Sequence, residues 1–141
     1  MNSKIEDFIP LITQSINNGM EIEFTPFGES MKPTIKSGDT IHFKKIDFLK
    51  KYDIVLFERL NHEYAIHRIV KIKDNKYTIK GDNYLSVTDE VGEKNIIAKV
   101  SQIIRNNKIT YLNKKGFYFK SYFIYNFRKV RYYFNRIFKK K

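Results

Sequence analysis

The chain has 141 residues, no cysteine and a formal net charge of +12, and this length suits one domain with a single hydrophobic core. The lack of cysteine excludes a disulfide framework, a thiolate metal site and a cysteine nucleophile. Ten of the 27 basic residues lie from Lys114 onward, where no acidic residue occurs. The excess charge therefore belongs to the end of the chain, and it points to an anionic surface, either a membrane or a nucleic acid.

Residues 3–18 predict an amphipathic helix, because apolar side chains recur there at helical spacing. These apolar residues are Ile5, Phe8, Ile9, Ile12 and Ile16. Ser3 and Glu6 form a capping box at the predicted start, and residues 17–19 end the helix. Pro10 would weaken its middle, so the sequence predicts either a kink or a later start.

Short apolar segments separated by turn residues fill the chain from residue 21 to residue 112. The predicted strands are 22–25, 40–43, 54–58, 64–72, 77–80, 96–104 and 109–112. Many short strands at this spacing favour a mainly β, compact antiparallel fold. We therefore expect a helical segment over 1–19, a β domain over 20–112 and a separate tail over 113–141.

The tail predicts a basic amphipathic helix, since apolar residues beyond Gly116 recur every three or four positions. These are Phe119, Phe123, Phe127, Val130, Phe134 and Ile137 or Phe138. The basic residues fall largely elsewhere on the helix surface; they are Lys120, Lys129, Arg131 and Arg136, followed by residues 139–141.

The first candidate for chemistry is Ser30, in a glycine-containing turn that follows a predicted strand. A nucleophilic serine needs an exposed hydroxyl on a stiff backbone whose amide groups can face an oxyanion. Gly28 permits close approach of a substrate, and Pro33 fixes the chain that follows. The alternative is an ordinary turn serine that bonds to nearby backbone.

The second candidate is His67, which lies in an alternating strand among apolar residues. Its ordinary pKa of about 6.5 suits a general base near neutrality, although a histidine in such a place is more often a satisfied core residue. Arg68 points to the opposite face, where a structural ion pair is its simplest role. The third candidate is the turn at 81–83 with Asp89 behind it, which offers a carboxylate to orient the base.

In this order, the three features resemble the signal peptidase I family and the related self-cleaving repressor peptidases. The resemblance covers about residues 20–104 and depends on a serine box, a Gly-Asp turn, a base followed by Arg, a Gly-Asp-Asn box ending in Asp, and a late hydrophobic-Lys-Val strand. The matching segments are Ser30-Met31-Lys32-Pro33-Thr34, Gly38-Asp39, His67-Arg68-Ile69-Val70, Gly81-Asp82-Asn83 with Asp89, and Ile97-Ala98-Lys99-Val100.

The resemblance implies a serine endopeptidase that removes signal or leader peptides and favours small residues before the cut. Ser30 is then the nucleophile, and its backbone N–H helps to bind the oxyanion. His67 is the base, as in the endoplasmic-reticulum and archaeal type, where most bacterial relatives have lysine. Asp89 is the first choice for the acidic partner and Asp82 the second, with holding the turn or binding Arg68 as its other role.

The remaining site residues follow from the same resemblance. Gly28, Met31 and Pro33 are expected at the substrate pocket, with a plain core position as the alternative for Met31. Arg68, Gly81 and Asn83 are expected to be structural residues beside the catalytic group. We expect no cofactor or metal ion, because the three histidines are scattered without metal-binding spacing.

We expect no transmembrane segment and no signal peptide, because no apolar run approaches the roughly 20 residues that span a bilayer. Residues 117–141 would instead hold the protein peripherally on an anionic membrane, on its cytoplasmic face, or else pack on the domain. The alternative function is a repressor-type or non-catalytic regulatory domain whose basic tail binds nucleic acid or membrane. We favour the membrane over nucleic acid, since the helix before Gly19 is too small for the helix-turn-helix domain of repressors.

Overall fold

In a computed structural model that describes residues 4–138, eight strands form one antiparallel sheet, which confirms the predicted mainly β class. Side chains are described throughout, except at residues 128, 129, 131, 132, 134, 135 and 138. The strands are β1 (Ile22–Phe24), β2 (Thr40–Lys44), β3 (Ile54–Glu58), β4 (Tyr64–Lys73), β5 (Lys76–Lys80), β6 (Asp89–Gly92), β7 (Ile96–Arg105) and β8 (Lys108–Tyr111). Their order is β1-β2-β7-β3-β4-β5-β6, and β8 pairs with β7.

Strand β3 lies at the centre of the sheet, between β4 and β7, and its apolar run is buried on both faces. On one face, Ile54 and Leu56 belong to a core that Ile12 and Ile16 of the N-terminal helix cover. On the other face, a second cluster surrounds the rest of the strand. Its buried members are Val55, Phe57, Ile69, Tyr77, Ile79, Val91 and Ile96.

The structure adds β6 to the strands that the sequence predicts. This segment contains two acidic residues and one glycine, and Val91 is its one buried side chain. An isolated apolar residue gives no alternation over the length that a strand pattern needs, so the tertiary pairing with β5 decides its conformation.

The N-terminal segment forms a 3₁₀ turn at Ile5–Phe8 and then α1 (Ile9–Asn17), with Pro10 in the first turn of the α-helix. This is the later start that the proline predicts, because the first turn needs no amide hydrogen at that position. Ser3 of the predicted capping box lies outside the described residues.

The C-terminal segment forms α2 (Lys115–Phe138), and the start of this helix packs on the domain through Phe117. Phe117 and Ser121 are buried against the domain, and the Tyr118 hydroxyl donates a hydrogen bond of 2.7 Å to Asp53 Oδ1. In the part of the chain that the structure describes, no helix has both the length and the apolar character needed to cross a membrane. The predicted basic ending at residues 139–141 lies outside the described residues.

Candidate active site

The turn that holds Ser30 lies between β1 and β2 and is stiffened by its own backbone. Gly28 has a φ of +103°, a conformation that residues with a side chain rarely adopt. The N–H of Ile35 donates to the Met31 carbonyl at 3.0 Å, which closes one helical turn after Ser30. The N–H of Ser30 donates to no other group within residues 4–138, so it is available to face an oxyanion.

A second turn, at residues 81–83, binds directly to the Ser30 turn. The N–H of Asn83 donates to the Ser30 carbonyl at 2.9 Å, and the N–H of Asp82 lies 3.4 Å from the sulfur of buried Met31. A Cβ added at Gly81 would lie only 2.7 Å from the Ser30 carbonyl oxygen. Glycine is therefore required here because the two turns approach each other too closely for a side chain.

Arg68 and Asp82 form a buried ion pair beneath these turns. The Arg68 Nε and Nη2 atoms donate to the two oxygens of Asp82, each at 2.8 Å, and Nη1 donates to the Tyr52 carbonyl at 3.1 Å. The Thr34 hydroxyl donates to the Asp82 carboxylate and accepts from Arg68 Nη2. Asp82 thus holds the turn and binds Arg68, the other role that the sequence suggested for it.

His67 lies on the opposite face of β4 from Arg68 and is 3% exposed. The rings of Phe57 and Tyr84 flank it, each with a centroid 6.0 Å from the imidazole centroid. Its Nδ1 atom is buried and has no hydrogen-bond partner among the described residues. The pKa of His67 is lowered to about 4, chiefly by burial and also by the charge of Arg59, while the charge of Asp82 opposes both.

Ser30 and His67 line the same cavity, which has a volume of about 510 Å³. The Cβ that Gly81 lacks would lie 3.2 Å from His67 Nε2 as well as close to Ser30, so the nitrogen faces the serine turn. Within the described chain, no hydrogen bond joins the two side chains directly. The structure therefore brings the predicted nucleophile and base together across a space open to a substrate.

The residues predicted at the substrate pocket divide between this cavity and its surroundings. Gly28 and Met31 line the cavity, and Met31 also lies in the main core, where it is 4% exposed. Pro33 is exposed, and it lies outside the described lining of the cavity. A contact between Pro33 and a substrate therefore stays a prediction.

Asp89 lies at the start of β6, and the register places it opposite Ile79 of β5, which in turn lies opposite Ile69 of β4. It is thus on the same face of the sheet as His67. Its Oδ2 atom lies 3.2 Å from Arg59 Nε, and no hydrogen bond joins it to His67 among the described residues. Its role as the acidic partner of the base stays a prediction.

Sequence reasoning missed Arg59 and Tyr84, which both line the cavity. A signal for each exists in the sequence. Arg59 continues the alternation of Val55 and Phe57 and therefore shares the face of His67. Tyr84 directly follows the turn at 81–83, where its ring meets the imidazole edge-on.

A sequence model of the family described as Peptidase S24-like matches residues 2–111 of the chain. The chain belongs to this family. A search of curated proteins found no match. Membership of the Peptidase S24-like family supports a serine peptidase or a repressor-type function, and the family also includes members without catalytic activity. The match contains both cavity turns and strands β1 to β8, and it ends before α2 begins.

Proposed function

We propose that this protein is a serine endopeptidase of the signal-peptidase type, which cleaves signal or leader peptides from precursor proteins or peptides. One observation carries the proposal. A buried histidine that is neutral at pH 7 opens onto the same cavity as a serine whose backbone N–H is unused. Buried polar groups are normally satisfied, and exceptions of this kind concentrate at functional sites.

The proposed reaction transfers the acyl group of a peptide bond first to Ser30 and then to water. Ser30 Oγ attacks the scissile carbonyl carbon while His67 Nε2 takes the hydroxyl proton. The C–N bond breaks, and His67 returns the proton to the leaving amine. A water molecule then attacks the acyl-enzyme in the same way, which releases the acid and restores both residues. The Ser30 N–H stabilises the oxyanion in each half.

The proposed mechanism also needs a group that stabilises His67 when it carries the proton. Asp89 is our candidate, because its strand places it on the same face of the sheet. In the structure its carboxylate is paired with Arg59, and the positive charge of Arg59 lowers the pKa of His67. We propose that this carboxylate turns from Arg59 toward His67 when a substrate binds in the cavity that Arg59 lines.

Single substitutions test the proposal against peptides that span a leader junction with small residues before the cut. We expect Ser30→Ala and His67→Ala to lower kcat by a factor on the order of 10⁴ to 10⁶. Ser86→Ala and His62→Ala are matched controls at exposed positions and should cleave like the original chain. Retained turnover in either site variant would reject the assignment.

We further propose that α2 holds the peptidase on an anionic membrane. Five apolar residues of α2, at least 54% exposed, share one side of the helix: Phe119, Phe123, Phe127, Val130 and Ile137. Helical geometry places them opposite Phe117 and Ser121, which are buried against the domain. The helix therefore packs on the domain and presents a second apolar side outward, in a segment with ten basic residues and no acidic one from Lys114 onward.

We expect the full chain to sediment with vesicles of anionic phospholipid and not with neutral vesicles.

A further inference from the structure

Helix α2 lies beyond the region that matches the peptidase family, yet its inner side faces the turn at residues 81–83 across a narrow cleft. Ile124 and Tyr125 line a narrow cleft together with Gly81, Asp82 and Tyr84. Two turns earlier in the helix, the Phe117 ring centroid lies 5.4 Å from the guanidinium carbon of Arg68, the residue that binds Asp82. The helix thus supports both the turn and the ion pair beneath it.

The turn that α2 faces is the one that positions the catalytic residues. Asn83 holds the Ser30 carbonyl at 2.9 Å, and the Tyr84 ring stands edge-on against His67. Tyr84 therefore contacts the imidazole and also lines the cleft that faces α2. Movement of Tyr84 would admit water to the buried side of His67 and would shift the Ser30 backbone.

The chain that follows this turn is exposed. Residues 83–88 are all exposed, and they form no helix or strand between β5 and β6. An irregular exposed segment opens at a low free-energy cost unless neighbouring groups pack on it. Ile124 and Tyr125 lie across the narrow cleft from Gly81 and Tyr84, and Lys80 Nζ, next to the turn, lies 5.0 Å from the Tyr125 ring centroid, so α2 is the neighbour that can support this turn.

We propose that α2 is a positioning element of the active site, in which Ile124 and Tyr125 hold residues 81–84 against Ser30 and His67. The proposal rests on the peptidase function proposed above. It adds that a helix outside the family region sets the rate of the chemical step, and that the two sides of this helix have different tasks. The inner side positions the catalytic turn, and the outer side faces the membrane.

The test compares an inward and an outward residue of α2 in the full chain, with a soluble peptide and no vesicles. We expect the double variant Ile124→Ala/Tyr125→Ala to lower kcat by about 10-fold or more while KM changes by less than about 3-fold, because misplaced catalytic groups act mainly on the chemical step. Phe127→Ala, on the outer side, should leave both constants unchanged. Tyr125→Phe keeps the ring, so it should retain nearly full kcat if packing is what matters.

A second readout separates this proposal from the peptidase assignment. The titration of His67, followed by NMR of labelled imidazole, should move toward the ordinary histidine value in Ile124→Ala/Tyr125→Ala and stay unchanged in Phe127→Ala. That shift without any cleavage by the original chain would support positioning by α2 and reject the peptidase function. Cleavage and titration that match the original chain in the double variant, or equal losses in Phe127→Ala, would overturn the positioning role.

Discussion

His67 and Arg68 are neighbours on β4, both almost fully buried, and they differ in how their polar atoms are satisfied. Arg68 donates to Asp82, Thr34 and the Tyr52 carbonyl, so each of its guanidinium nitrogens has a hydrogen-bond acceptor within the fold. His67 leaves Nδ1 without a partner among the described residues, and it remains neutral. One face of the sheet therefore carries a polar residue whose bonds hold turns in place, and the other carries a buried imidazole, the proposed base, whose Nδ1 has no partner among the described residues.

Arg68 and His67 also contribute to stability in different ways. A buried ion pair is close to neutral in net free energy, since desolvation offsets the attraction, but loss of one partner leaves an uncompensated charge. A buried neutral imidazole has no such partner to lose. Its cost appears when the pH falls and the unfolded chain binds a proton that the folded site resists.

The largest effect on stability is expected from removing the charge of Asp82, the partner of Arg68. Asp82→Asn removes the charge that compensates Arg68, and we expect it to lower the free energy of unfolding by about 3–5 kcal/mol. Urea denaturation at pH 7 measures the change. Glu29→Gln, which breaks the exposed pair with Lys32, is the matched control and should change stability by less than about 1 kcal/mol. A loss under about 1 kcal/mol in Asp82→Asn would show that the buried pair does not hold the turns.

A somewhat smaller effect on stability is expected from His67 when the pH is lowered. Because the pKa of His67 is lowered to about 4, the unfolded state binds more protons than the folded state between about pH 6.5 and pH 4. Stability should therefore be lost as the pH falls through this window, by about 3 kcal/mol at pH 4 from this one group.

The measurement compares the original chain with His67→Gln, whose side chain does not titrate, by urea denaturation at several pH values. The variant should lose about 3 kcal/mol less between pH 7 and pH 4. His62→Gln, at an exposed position with 87% of its side chain accessible, should follow the original chain. Parallel curves for the original chain and His67→Gln would show that His67 titrates normally.

The parts of the fold that sequence predicts well are those fixed by local pattern. The apolar run of β3 and the alternation of β4 determine their own conformation, and the order of the Ser30, His67 and Gly81 segments indicates the site through family resemblance. The pairing of Arg59 with Asp89 could not be predicted from the sequence, because it joins a hairpin end to the start of β6 across the sheet. Such contacts depend on register and side-chain reach, which one sequence does not reveal.

Helix α2 shows the same limit in a different form. Periodicity finds the stripe through Phe123 and Phe127, because apolar residues stand out among basic ones. It does not find the inner side, where Ser121 and Tyr125 pack on the domain, since polar and aromatic residues there are indistinguishable from a solvent-facing pattern. The sequence left two alternatives for this helix, packing on the domain and contact with a membrane. The structure shows that the inner side packs on the domain, and the apolar periodicity did not predict this side.

The smallest effect on stability is expected on the outer side of α2, where the side chains are exposed and contribute little to the free energy of unfolding. Phe127 is 66% exposed, so Phe127→Ala should change the free energy of unfolding by less than about 0.5 kcal/mol. The same change should weaken sedimentation with anionic vesicles by about 10-fold, because the variant lacks the roughly 1–2 kcal/mol of apolar transfer free energy that the ring contributes when it enters the interface. Leu60→Ala, which removes a more exposed apolar side chain from a hairpin end, is the control and should bind vesicles normally. Equal vesicle binding by Phe127→Ala and the original chain would contradict the membrane role, and steeply salt-dependent binding to DNA in its place would assign this side to nucleic acid.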